Sequence, residues 1–238
     1  MYEGSSIAEF LLAEQKKITI SGNVMIDDST ILLINTRDSS ITGNVSTGSL
    51  FNGIQLAGGN SRVTIKGNVL RDGGDGNEAS GGGGFTGINL TGNSNFGNAS
   101  SPDTRITIQG NVVTGFSASG IRLRGDTNNS IVKGNVVLNN GTSEGDFGDG
   151  FGNGITLESG SFNNRVESNT IKGNFKNGIF VDSSAEDNLI QSNFSLDNGE
   201  LDYRDDSEGD GTAGTANKYK RNKGRFDSPD GLIQYEIR

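Results

Sequence analysis

Arg122 and Arg124 alternate with Ile121 and Leu123 in the segment SGIRLRGDTNN. On an extended strand that spacing sends both guanidinium groups to one face. Two planar forks side by side suit a carboxylate-bearing ligand; they equally suit solvated surface with acidic neighbours. A second candidate is DSEGDG, where Asp206, Glu208 and Asp210 stand at positions 1, 3 and 5 with glycine at position 6, as in a calcium-binding loop. Position 12 is Asn217 in place of glutamate, so a solvated acidic turn is the competing reading. GGDGNE, from Gly73 to Glu78, offers a single copy of a calcium motif that needs tandem copies. GDGFGNG, from Gly148, has the composition of a phosphate loop without its strand–loop–helix setting, and is set aside.

The composition narrows this chemistry. The chain of 238 residues has no histidine and no cysteine. That removes Ser-His-Asp arrangements, thiolate chemistry and a disulfide framework. A net charge of −9 argues against a nucleic-acid partner, which needs a basic surface. The absence of a long apolar run gives no reason to expect a membrane span. Met1 is not followed by a basic and then apolar leader, so export would require a leader already removed. Only 31% of residues are hydrophobic while 38 are glycine, which suits a thin core better than a compact globule.

The elements that hold the arginines repeat. One motif is Gly-Ile-x-apolar, at Gly53, Gly87, Gly120, Gly154 and Gly178. The other is apolar-x-[Gly/Ser]-Asn, ending at Asn23, Asn44, Asn68, Asn111, Asn135, Asn169 and Asn193. Ile121 to Asn135, Ile155 to Asn169 and Ile179 to Asn193 are each 14 residues, and Asn111 to Ile121 and Asn169 to Ile179 are each 10. The unit is therefore 24 residues, with insertions near 72–83, 91–102 and 141–150. Short period-2 segments between Gly/Asn turns at this period predict an all-β parallel solenoid of about seven coils. The asparagines are expected to take left-handed corners and to hydrogen-bond from coil to coil. The glycines before isoleucine are expected to permit a tight turn. Ser6 and Glu9 form a capping box, predicting a short helix in an N-terminal cap over residues 1–16. The solenoid spans 17–224, and residues 225–238, with Leu232 and Ile233, form a C-terminal cap.

The copies GIRLRGDTNNSIVKGNVV, GITLESGSFNNRVESNTI and GIFVDSSAEDNLIQSNFS resemble the right-handed parallel β-helix superfamily. The resemblance covers roughly residues 17–224 and implies a single-stranded, right-handed β-helix. Its members include pectate-lyase-like polysaccharide lyases, hydrolases, epimerases, phage tailspikes and adhesins. Lyases of this kind use Lys or Arg as base, often with calcium neutralising a uronate, which implies base and carboxylate-clamp roles for Arg122 and Arg124. The sequence departs from other members. Without histidine it lacks the Gly-His-Gly element of pectin hydrolases and the histidine of alginate epimerases. With only Met1 and Met25 as sulfur ligands, copper handling is not expected.

Stacking the units sets outward residues in rows. The first reads Gln55, Asn89, Arg122, Thr156, Phe180; the second reads Ala57, Thr91, Arg124, Glu158, Asp182. All three insertions border this face, so it is expected to be a groove floored by the arginines. Asn89, Thr156 and Glu158 on the floor, with Asp146, Asp149 and Phe151 on or beside an insertion, are the candidate substrate contacts. The plainer reading pairs Arg124 with Glu158 across one coil. Lys133 beside Glu167 on another face is read as charge compensation. An ice-binding array is set aside because only Thr64 and Thr107 align in neighbouring coils. The expected function is an extracellular or cell-surface bacterial protein that binds an acidic polysaccharide, with cleavage open and calcium as an optional cofactor. The alternative is a non-catalytic scaffold or adhesin segment of a larger multidomain protein.

Overall fold

The computed structural model describes residues 7–8, 14–27, 29–74, 85–92, 101–141 and 151–237. Most of each insertion, including Asp146 and Asp149, lies outside them. The chain winds through three parallel sheets. A middle coil gives one strand to each, for example Ile121–Leu123, Ile131–Lys133 and Val136–Leu138. In the first sheet Ile54, Ile88, Ile121, Ile155 and Ile179 stack in register, and Leu56, Leu90, Leu123, Leu157 and Val181 stack beside them. All of these side chains are fully buried. Seven strands, from Ile31–Ile34 to Tyr203–Asp205, make the body of this sheet, and a two-residue strand adds at each end.

The first of those end strands corrects one expectation. Ile7–Ala8 was to begin a capping helix but pairs in parallel with Ile31–Leu32. The edge of the first complete coil offers unpaired backbone groups there, and the chain satisfies them as a strand. At the other end Asp227–Ser228 and Tyr235–Glu236 pair onto the first and third sheets, with Leu232 fully buried between them in sequence.

Asparagines join the coils. Asn135 donates through its backbone N–H (2.9 Å) and its Nδ2 (3.0 Å) to Oδ1 of Asn169, and through Nδ2 to the Ile108 carbonyl one coil back (3.0 Å). Its own Oδ1 accepts the same two bonds from Asn111. This pattern runs from Asn23 through Asn44, Asn68, Asn111, Asn135, Asn169 and Asn193 to Asn222. Gln234 Oε1 then accepts from the Asn222 N–H and closes the ladder. The ladder asparagines do not take the left-handed corner. The residue before each of them does: Gly110 (φ 62°), Gly134 (φ 59°), Ser168 (φ 56°) and Ser192 (φ 54°) in the middle coils. The division of labour is physical: the Asn135 side chain is committed to four bonds between coils, and the turn falls to its neighbour.

The Gly-Ile glycines correct a second expectation. Gly120 and Gly154 do not have positive φ. A Cβ on Gly120 would overlap Val137 and lie 2.7 Å from the Gly154 carbonyl oxygen; one on Gly154 would overlap Ile171. Close passage of the chain over third-sheet core side chains excludes any larger residue there.

Candidate functional site

Ile121 and Leu123 point into the core, so Arg122 points out, in register with Asn89 on one side and Thr156 on the other. An outward residue on a solvated face would be wet. Instead Asn89, Arg122, Thr156 and Phe180 are each less than one-tenth exposed. The middle of this face is covered, and one described cover is Phe151, whose ring lies 4.2 Å from the Arg122 guanidinium carbon. Arg122 Nη2 donates to Glu158 Oε1 at 2.5 Å. The guanidinium is thus held between an aromatic face and a carboxylate, away from water, where each contact is stronger than at an exposed site. Burial pulls the Arg122 pKa below its ordinary range and the Arg124 charge pulls the same way, while Glu158 opposes both.

The two arginines therefore differ. The Arg124 side chain is 42% exposed, and its Nε lies 3.8 Å from the same Glu158 oxygen. The structure brings together Asn89, Arg122, Thr156 and Glu158 on one face, with Phe151 over Arg122 and Arg124 at the rim. Thr156 Oγ1 accepts a long bond from Asn153 Nδ2 (3.4 Å). Among the described residues, two buried polar atoms in adjacent coils lack a hydrogen-bond partner, Asn89 Oδ1 and Arg122 Nε. One is an acceptor and the other a donor, and both are enclosed.

The acidic turn from Asp206 to Asp210 lies at the surface. Asp206 receives a two-pronged fork from Arg204, at 2.9 and 2.8 Å. Glu208 and Asp210 are at the surface, and among the described residues no group of three or more acidic side chains is placed to hold a metal ion. Asp206 is thus committed to Arg204, and the three carboxylates are not gathered around a common point. The carboxylate this segment uses inwardly is Asp205. It accepts from Ser207 at Oδ1 and from Asn217 (3.1 Å) and Tyr219 (2.9 Å) at Oδ2. It is in register with Val181, at a position that earlier coils fill with leucine. Burial pushes its pKa up, against these hydrogen bonds. Aligning the eroded last repeat to the leucine column is the sequence signal that would have found it.

A family model described as the right handed beta helix region matches residues 11–195. The chain belongs to the right-handed β-helix family. Comparison with curated sequences finds no match. Among solved structures, the β-helix superposes on the A-module of the mannuronan C-5 epimerase AlgE6 of Azotobacter vinelandii, with TM-score 0.64 and 13% identity, covering 93% of this chain and 54% of that one. It superposes on a double mutant of the periplasmic alginate epimerase AlgG with TM-score 0.56 and 17% identity, covering 85% and 49%. Such likeness establishes the fold. The chain spans about half the length of these neighbours. Among its described residues no helix is long and apolar enough to cross a membrane.

Proposed function

We propose that this β-helix binds an acidic polysaccharide along the outer face of its first sheet, at or outside the cell surface. The observation that carries the reading is the half-exposed Arg124 at the rim of a face on which a second guanidinium, a carboxylate and an aromatic ring converge. Sugars present hydroxyls that both donate and accept, and a uronate adds a carboxylate for the half-exposed Arg124. Buried Arg122 orients Glu158, and Arg124 at the rim is the group that meets the ligand. The two epimerase neighbours, named for mannuronan and alginate, support the substrate class by analogy of fold. The chain has no histidine, and we assign any chemistry on this face to Arg124 and Glu158, which lie side by side at its rim.

A panel of alginate, polygalacturonate and a neutral glucan, with and without calcium, tests this. The acidic polymers are expected to bind better, and less well at high salt. Arg124→Ala is expected to weaken binding several-fold, and Lys133→Ala to leave it unchanged. An ultraviolet-absorbing unsaturated product would identify a lyase, and a new reducing end without it a hydrolase. Equal binding by wild type and Arg124→Ala would sink the reading. One observation favours a scaffold or adhesin instead: Arg122, the central cation of the face, is already buried and paired. Absence of binding to every polymer would select that role.

A further inference from the structure

The chain as a whole is acidic, with 20 cationic against 29 anionic side chains. Its last coil is not. Lys218, Lys220, Arg221, Lys223 and Arg225 fall within eight residues, and all are exposed. The fold spreads them into a band. Lys218 and Lys220 flank buried Tyr219 and so share the outer face of the second sheet. Arg221 takes the left-handed corner (φ 56°), and Lys223 continues on the third sheet beside the half-exposed Tyr235, its Nζ 6.0 Å from the ring centroid.

Elsewhere several surface cations stand by carboxylates, Arg62 with Asp38, Lys172 with Asp197 and Arg204 with Asp206, and those without an ion pair among the described residues, such as Lys66, Arg105 and Lys133, are scattered along the chain. Within the band only Arg225 stands by a carboxylate, that of Asp197. Lys218, Lys220, Arg221 and Lys223 form no ion pair among the described residues. Their register neighbours one coil back are Leu189, Gln191 and Phe194, none of them acidic. Crowding unpaired like charges is unfavourable, and an acidic chain has carboxylates with which to relieve it. Lysines also guard open sheet edges, and Lys218 and Lys220 lie on the last strand of the second sheet. That role does not extend to Arg221 at the corner or to Lys223, whose strand is paired on both sides.

We infer that this band, from Lys218 to Lys223 with Tyr235 beside it, is a second binding surface for an acidic polysaccharide, separate from the first-sheet face. The inference rests on the polysaccharide reading for the class of partner, and on the band for the place. The acidity of the rest of the molecule selects the polymer. A densely charged strand such as a nucleic acid is repelled wherever it runs past the band, whereas a polymer with one carboxylate per sugar meets less repulsion. Lys218 and Lys220, two residues apart on one strand, are about 7 Å apart at the backbone, and their flexible stems let both ammonium groups reach carboxylates of one polymer. Tyr235 offers a partly open ring for a sugar face.

The test is titration of the full chain with oligouronates at low and high salt. The variant carries Lys218→Gln, Lys220→Gln, Arg221→Asn and Lys223→Gln; asparagine tolerates the left-handed corner. Its melting temperature is expected to match wild type and its affinity to fall about tenfold at low salt, with a shallower salt dependence. Lys66→Gln with Lys133→Gln, on earlier coils of the second sheet, is expected to bind as wild type. Failure of the first-sheet reading shows separately, as full binding by Arg124→Ala. Full binding by the fourfold variant would overturn the band, whether or not that variant self-associates through its bared edge. So would tighter binding of single-stranded DNA than of oligouronate at equal salt, which would assign the band to nucleic acid.

Discussion

Arg122 and Arg204 stand in the same outward row of the first sheet, three coils apart. Each is paired with a carboxylate and lies over a phenylalanine, Arg122 by Phe151 at 4.2 Å and Arg204 by Phe180 at 5.3 Å. The environments differ. The side chains of Arg122 and Glu158 are 8% and 10% exposed; those of Arg204 and Asp206 are 26% and 36%. The same row thus offers a desolvated ion pair mid-rod and a wetter one near the end. A guanidinium–carboxylate pair read from a repeat says little about its energetic role until its cover is known, because burial changes both the strength of the contact and the cost of breaking it.

The largest expected effect follows from that contrast. Glu158→Ala strands a buried guanidinium and should destabilise by about 3–5 kcal/mol, whereas Asp206→Ala should cost under about 1 kcal/mol and become neutral at high salt. Denaturant titration at two salt concentrations measures both. Similar losses for the two would dissolve the comparison.

Buried carboxylates sharpen it through pH. Asp103 is fully buried and takes an asparagine-like place, accepting from the Asn60 N–H and Nδ2 at 2.9 and 2.8 Å and from the Gly92 N–H at 3.1 Å. Burial pushes its pKa up to about 6 despite these bonds. The folded state then holds a proton that the unfolded chain, with an ordinary carboxyl, releases. Between about pH 6 and 4 the folded state binds more protons, so this group makes the protein more stable as pH falls, by on the order of 3 kcal/mol. In Asp103→Asn that part of the pH dependence should vanish. An unchanged pH profile of unfolding would show that Asp103 is not the group responsible.

A smaller effect separates the apolar middle of the core from its polar end. Asp205→Leu restores the leucine column but leaves the Tyr219 hydroxyl without its acceptor, at about 1–3 kcal/mol; adding Tyr219→Phe should recover most of that. If the double variant is no more stable than the single one, the network holds the end coil by some other contact. Smallest is a gain. Ser168 holds the left-handed angle that glycine holds in earlier coils, where the equivalent Gly134 has open space around it. Ser168→Gly should add up to about 1 kcal/mol, read as a rise in melting temperature.

These residues also mark what the sequence discloses. The coil was legible because a 24-residue spacing with Ile and Leu two apart fixes both strand and stacking, and because an asparagine recurring at one phase needs a common mechanical role. The reasons for individual residues were less legible. Gly120 is required by Val137 from another sheet, a contact that no local pattern contains. Arg122 looked like a solvated groove residue because its cover depends on where Phe151 comes to rest after an insertion. Asp205 was less legible because its repeat has lost the Gly-Ile motif, so the period-2 spacing of Asp206, Glu208 and Asp210 stands out in the acidic run instead. The candidate face was found from row order; its burial required the third dimension.

The asparagine ladder makes the rod indifferent to chain length between corners. Successive ladder asparagines are separated by 24, 43, 24, 34, 24 and 29 residues from Asn44 to Asn222, yet each backbone N–H reaches the next Oδ1 at 2.9–3.0 Å. Extra chain leaves at a corner and returns to the same bond, and lengthening such an excursion adds only a slowly growing closure entropy. The frame counts turns rather than residues. A foreign loop grafted at one of these corners would meet no core contact that it must match, so this small scaffold can exchange its surface wholesale while every turn stays in phase.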